Sequence, residues 1–200
     1  MNDIPAIDPK RSALLVMDYQ PAILGRLSDA GELPSRMAKA IAAARGRGMA
    51  IGYVRVAFED ADYAAIPATN KHLFALAADR RLDAAAPETA ILDDVAPQPG
   101  DIVVRKTRVG AFSTTDLDQQ LRERQIETLV LAGISTSGVV LSTVRDAADR
   151  DYRILVLGDC CMDPDLQVHD VLMTKVFPRQ ATVLDSAAFG QLGLAPRAGA

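Results

Sequence analysis

Residues 129–159, LVLAGISTSGVVLSTVRDAADRDYRILVLGD, decide the fold. An apolar run from Leu129 to Ala132 ends at Gly133 and empties into a small polar loop, Ser135-Thr136-Ser137-Gly138. A helical segment follows to about residue 149, and a second apolar run spans 152–159. Strand, loop, helix and strand in that order predict two parallel strands joined by a right-handed crossover. Ligands of parallel α/β sheets bind beyond the carboxyl ends of the strands, where the first N–H groups of a helix lack partners and carry partial positive charge. The loop 133–139 is therefore expected to line a crevice, although none of its side chains is an obvious nucleophile.

The same alternation extends in both directions. SALLVMD (12–18) reads as a buried strand that ends at an acid. A helix is expected over 32–47, with Met37, Ile41 and Ala44 on one face and glycines at its stop, before a strand at 49–58. Residues 59–100 mix Ala-rich helix formers with Pro and Asp, and read as a long connection with one or two short helices that covers one edge of the site. Further strands are expected at 101–106, 128–133, 152–159 and 181–185, with helices near 115–124, 136–149 and 165–176. The result is a three-layer, Rossmann-like, doubly wound α/β fold with a mainly parallel sheet of about six strands.

Composition narrows the function. Two hundred residues at 49% hydrophobic suit a single domain over 1–200. A net charge of -4 and a pI near 5.2 argue against a nucleic-acid surface. No apolar run approaches the roughly 20 residues of a membrane span, and MNDIPAIDPKR at the start lacks the apolar stretch of a secretory leader. The expectation is a cytoplasmic protein with neither a nucleic-acid nor a membrane partner. Its two cysteines, Cys160 and Cys161, are adjacent and poorly placed to form a disulfide, which suits a reducing compartment.

Three strand ends carry the candidate chemistry: Asp18 after the first, Lys106 with Thr107 and Arg108 after the third, and the loop 133–139 after the fourth. The segments around them resemble the isochorismatase-like (cysteine hydrolase) superfamily, which includes nicotinamidases, N-carbamoylsarcosine amidohydrolase-like enzymes and isochorismatase. ALLVMDYQPAIL (13–24) is similar to its first strand, with Asp18 in the position of the catalytic Asp and Gln20 following. VVRKTRVGAFSTTDLDQQLRERQIETLVLAGIST (103–136) is similar to its Lys strand, its helix start and the strand end with GxxT. The resemblance covers roughly 12–185, and in many members a cis peptide precedes the Thr that corresponds to Thr136.

In most of the family a cysteine stands three residues after that Thr; here the residue is Val139, which has neither acidic proton nor lone pair. Ser137, Cys160 and Cys161 are the alternative nucleophiles. The isochorismatase branch also lacks the cysteine and hydrolyses a vinyl ether with the Asp as general acid and water as nucleophile. The resemblance thus implies a cofactor-independent hydrolase in which Asp18 donates a proton, Lys106 stabilises negative charge, and Ser135, Thr136, Ser137 and Gly138 orient a small-molecule substrate. The alternative is an inactive binding or regulatory protein that kept the pocket. Isochorismatase carries a glycine where Val139 stands, and its dicarboxylate substrate calls for further cations, with Arg108 and Arg55 as candidates. By resemblance Phe112 lines the pocket, and Val171, Leu172, Met173 and Phe177 are candidate contacts of a homodimer or homotetramer. No metal is expected: VRVAFEDADYAAIP (54–67) lacks the histidine of the nicotinamidase Asp-x-His pair, and His72 and His169 are far apart in sequence.

Overall fold

The computed structural model describes residues 6–192. Its six strands are β1 (Ser12–Met17), β2 (Ala50–Val56), β3 (Ile102–Lys106), β4 (Thr128–Ile134), β5 (Arg153–Met162) and β6 (Thr182–Leu184). They form one sheet in the order β3-β2-β1-β4-β5-β6, with every neighbouring pair parallel. The helices are α1 (Pro21–Leu24), α2 (Leu33–Gly46), α3 (Asp60–Ala64), α4 (Lys71–Ala78), α5 (Leu117–Glu123), α6 (Leu141–Asp149), α7 (Leu166–Val171) and α8 (Ser186–Gly190). None of the described helices is long and apolar enough to cross a membrane.

Successive side chains of a strand face opposite sides of the sheet, so a strand covered on both faces must be apolar throughout. In β1, Ala13, Leu15 and Met17 enter one core with Leu117, Leu121, Val144 and Phe177, while Leu14 and Val16 enter the other with Met37, Ile41 and Phe189. A third cluster, built on Val56, Phe58, Tyr63, Leu73, Leu76 and Leu82, roofs the carboxyl end of β2. Each fully buried Leu, Val or Phe contributes about 1.5–3 kcal/mol, which offsets the entropy lost in ordering the chain.

Several local expectations are corrected. The segment 136–149 begins with a π-helical turn, Thr136–Val140, before α6, and 165–176 breaks into α7 and a second π-helical turn, Leu172–Val176. The fifth strand does not stop at Asp159. The register jumps from Leu131↔Val156 to Gly133↔Cys161, so β5 bulges and then pairs again through Cys161 and Met162. Cys160 and Cys161 consequently lie inside the strand, buried on opposite faces. Of the residues expected at an interface, Leu172, Met173 and Phe177 are buried in this chain and Val171 is exposed.

Candidate active site

The strand order reverses between β1 and β4: the chain runs from β1 outward through β2 and β3, then returns to β4 on the other side of β1. At such a switch point the two crossovers leave in opposite directions and open a crevice at the carboxyl ends of the strands. A cavity of about 130 Å³ lies there, bordered by Asp18, Lys106, Arg108, Ser135, Gly138 and Val139.

Asp18 leaves β1 with φ +58, a left-handed conformation that Asp tolerates better than most residues. Its N–H still donates to Val54 O at 2.8 Å, so the turn begins while the strand is anchored. Gln20, fully buried, holds the turn from the other side: its amide nitrogen donates to Val56 O at 3.0 Å and Thr89 O at 2.6 Å, and its Oε1 accepts from Val56 N–H at 2.9 Å. Lys106 ends β3, two strands away from β1, and is as buried as Asp18. Its ammonium lies 2.9 Å from Asp18 Oδ2 and donates to the carbonyls of Val109 at 2.9 Å and Arg108 at 3.2 Å. Three donors thus meet three acceptors, while Asp18 Oδ1 is buried without a partner. Burial raises the Asp18 pKa above 3.8, and this outweighs the charge and hydrogen bond of Lys106, which lower it.

The β4 end supplies the opposite wall. The Ile134–Ser135 peptide is cis, and Ser135 O accepts N–H bonds from Gly138 at 3.2 Å and Val140 at 3.3 Å. Ser135, Gly138 and Val139 border the cavity. Two expected members do not. Thr136 is buried and its Oγ1 lies 2.8 Å from His169 Nδ1, while Ser137 is exposed and donates its N–H to Asp163 Oδ2 at 2.7 Å. These contacts pin the π-helical turn to the segment after β5.

Arg108 borders the cavity, but Arg55 does not; its guanidinium donates to Thr89 O at 3.2 Å. Phe112 is likewise absent from the wall. It lies in the core, stacked on Tyr152 at 6.2 Å between centroids and capped by the Arg150 guanidinium. Both cysteines are buried; burial pushes the Cys161 thiol up to about 12, and the Cys160 thiol is raised as well. Neither borders the cavity. Among the described residues no group of three or more His, Cys, Asp or Glu could hold a metal ion.

Sequence reading missed Arg26, just after α1, and His72, on α4, both at the cavity wall. Arg26 follows Asp18 so closely that its place at the same sheet end was inferable; His72 lies in the aperiodic connection, and nothing in its spacing gave it away.

The comparisons with known proteins agree with this architecture. The ureidoacrylate amidohydrolase RutB of Methylobacterium radiotolerans is 33% identical over 217 residues, covering 96% of this chain and 84% of that protein. The isochorismatase family protein YwoC of Bacillus subtilis is 32% identical over 173 residues, covering 86% and 89%. An isochorismatase family protein from Burkholderia thailandensis superposes with a TM-score of 0.79 at 28% identity, covering 95% of this chain and 98% of that one. The model of the isochorismatase domain matches residues 12–188, and the chain accordingly belongs to the isochorismatase family of hydrolases.

Proposed function

We propose that this chain hydrolyses a small organic molecule, a vinyl ether, amide or ester, with Asp18 as proton donor and water as nucleophile, and without a covalent cysteine intermediate. One observation carries the reading: Asp18 Oδ2 is engaged by Lys106 while the buried Oδ1 has no partner. An oxygen accepting from an ammonium is the poorer site for a proton, so Oδ1 holds it, and the raised pKa keeps it there to higher pH than an ordinary carboxyl would. In vinyl ether hydrolysis the proton passes to the alkene carbon, and the ether oxygen shares its lone pair to form an oxocarbenium ion. Water adds to the oxygen-bearing carbon of that ion and returns a proton to Asp18, and the hemiketal then breaks its C–O bond to give a carbonyl compound and an alcohol. In amide or ester hydrolysis water bonds to the carbonyl carbon, the leaving nitrogen or oxygen takes the Asp18 proton, and the proton released by water restores Asp18.

Val139 borders the cavity in the position that the family's nucleophilic cysteine is expected to occupy, and both cysteines of the chain lie buried away from it. That supports water over a thiolate. The RutB relative, by its name an amidohydrolase, supports the inclusion of amides in the substrate range.

The test is a mass-spectrometric turnover screen over vinyl ethers, amides and esters, with wild type and Asp18→Asn side by side. Turnover by the wild type is expected, with a loss of about 10²–10⁴-fold in Asp18→Asn. Silence of the wild type across all three classes, or turnover that survives the substitution, would overturn the reading; silence would favour a binding protein.

A further inference from the structure

The charged side chains at the cavity wall of this acidic chain are mainly cationic. Against a net charge of -4 for the whole sequence, the wall holds Arg26, Lys106 and Arg108 but a single carboxylate, Asp18, already engaged by Lys106. A cleft lined by one sign of charge concentrates ligands of the other. Among the described residues, Arg26, Arg81 and Arg108 form no ion pair with a carboxylate. Arg108 donates to Thr107 O at 2.7 Å, and Asp62, the acid that feels its field, is held by Arg105. Arg26 has no side-chain hydrogen bond among the described residues; partial burial, and after it repulsion from Arg81, lowers its pKa. A guanidinium at the cavity wall with no carboxylate partner among the described residues is free to form an ion pair with a bound anion.

The body of the ligand follows from the rest of the wall. Ile23, Leu27, Leu73, Leu76 and Val139 make it aliphatic, and the 130 Å³ cavity is close to the roughly 150 Å³ that accommodates benzene. We propose that the pocket selects a small monocarboxylate with an apolar body of about six heavy atoms, its carboxylate bound by the Arg26 fork at the cavity wall. A planar carboxylate matches a guanidinium fork bidentately, and the aliphatic wall suits an apolar body that inorganic phosphate lacks. This deepens the hydrolase reading, on which it rests only for which bond of the bound molecule faces Asp18.

Calorimetric titration with benzoate, benzamide and inorganic phosphate tests it, using wild type, Arg26→Gln and Arg26→Lys, each verified as folded by circular dichroism. Wild type is expected to bind benzoate at least about tenfold more tightly than benzamide. Arg26→Gln removes that preference, and Arg26→Lys restores part of it. Equal affinities in wild type, benzoate binding unchanged in Arg26→Gln, no saturable benzoate binding below about 10 mM, or a preference for phosphate would each overturn the assignment. Charge-selective binding with no Asp18-dependent turnover would remove the hydrolase reading and leave the anion site standing; Asp18-dependent turnover without charge selectivity would remove the anion site alone.

Discussion

At Asp18 two opposing fields meet, and burial wins over the ammonium 2.9 Å away. The pairing is nonetheless close, so the Lys106 charge holds the Asp18 pKa below the value that burial alone would impose. Replacing Lys106 by Met removes that restraint. In the pH profile of kcat/KM, the limb on which activity falls with rising pH should move to higher pH in Lys106→Met, because the proton that Asp18 must deliver is held longer. A limb that stays in place or moves to lower pH would show that Lys106 does not act on this carboxyl.

The elements matter through how closely they approach. Gly133, at the end of β4, has no side chain where Met17 and the π-helical turn converge: a Cβ there would lie 3.0 Å from Met17 Cβ, 3.0 Å from Met17 O and 3.2 Å from Val140 Cγ2. One of the three contacts is backbone, so the cost cannot be relieved by a rotamer change alone. Gly133→Ala is expected to lower the unfolding free energy by about 1–3 kcal/mol, read as a reduced midpoint in urea at constant slope. Substrate affinity should fall with it, since β1 and the turn carry Asp18 and Val139. The bulge in β5 is the other such device. The bulge takes up the extra residues between Val156 and Cys161, and when pairing resumes the chain delivers Asp163 to the turn at Ser137 and Pro164 to the cavity wall.

For the whole molecule, the cost of the site appears as a pH dependence of stability. The native state holds the Asp18 proton to higher pH than the unfolded chain, in which the carboxyl titrates near 3.8. Between those two pKa values the native state binds more protons, so the contribution of Asp18 to stability is greatest at low pH and falls as pH rises through the window. Asp18→Asn, which mimics the neutral carboxyl, escapes that loss. The stability of wild type minus that of Asp18→Asn, from urea unfolding at a series of pH values, should decline as pH rises from 3.8. A difference that grows with pH would mean that the Lys106 charge outweighs burial after all.

Much of this was legible before any coordinates. The six strands were readable because a strand buried on both faces is a continuous apolar run, a property of neighbouring residues. Asp18, Lys106 and the loop at 135–139 were readable because they stand where such runs end. The strand end at Asp159 misled, since Gly158-Asp159 carries the signature of a turn and only pairing with β4 continues the strand beyond it. Phe112, Thr136, Ser137 and Arg55 sit close in sequence to residues that border the cavity, yet their side chains go to the core, to His169, to solvent and to Thr89. Sequence by itself determined the sheet, its parallel sense and the end at which the candidate site opens, because these follow from periodicity and the sterics of crossover connections. Only the tertiary structure decided that Asp18 Oδ1 is left without a partner, that Lys106 is satisfied three times over, and that Arg26 and Arg108 border the same pocket as the pair. Those are contacts between residues up to nearly ninety positions apart, and they depend on register, strand order and burial, none of which a local pattern encodes.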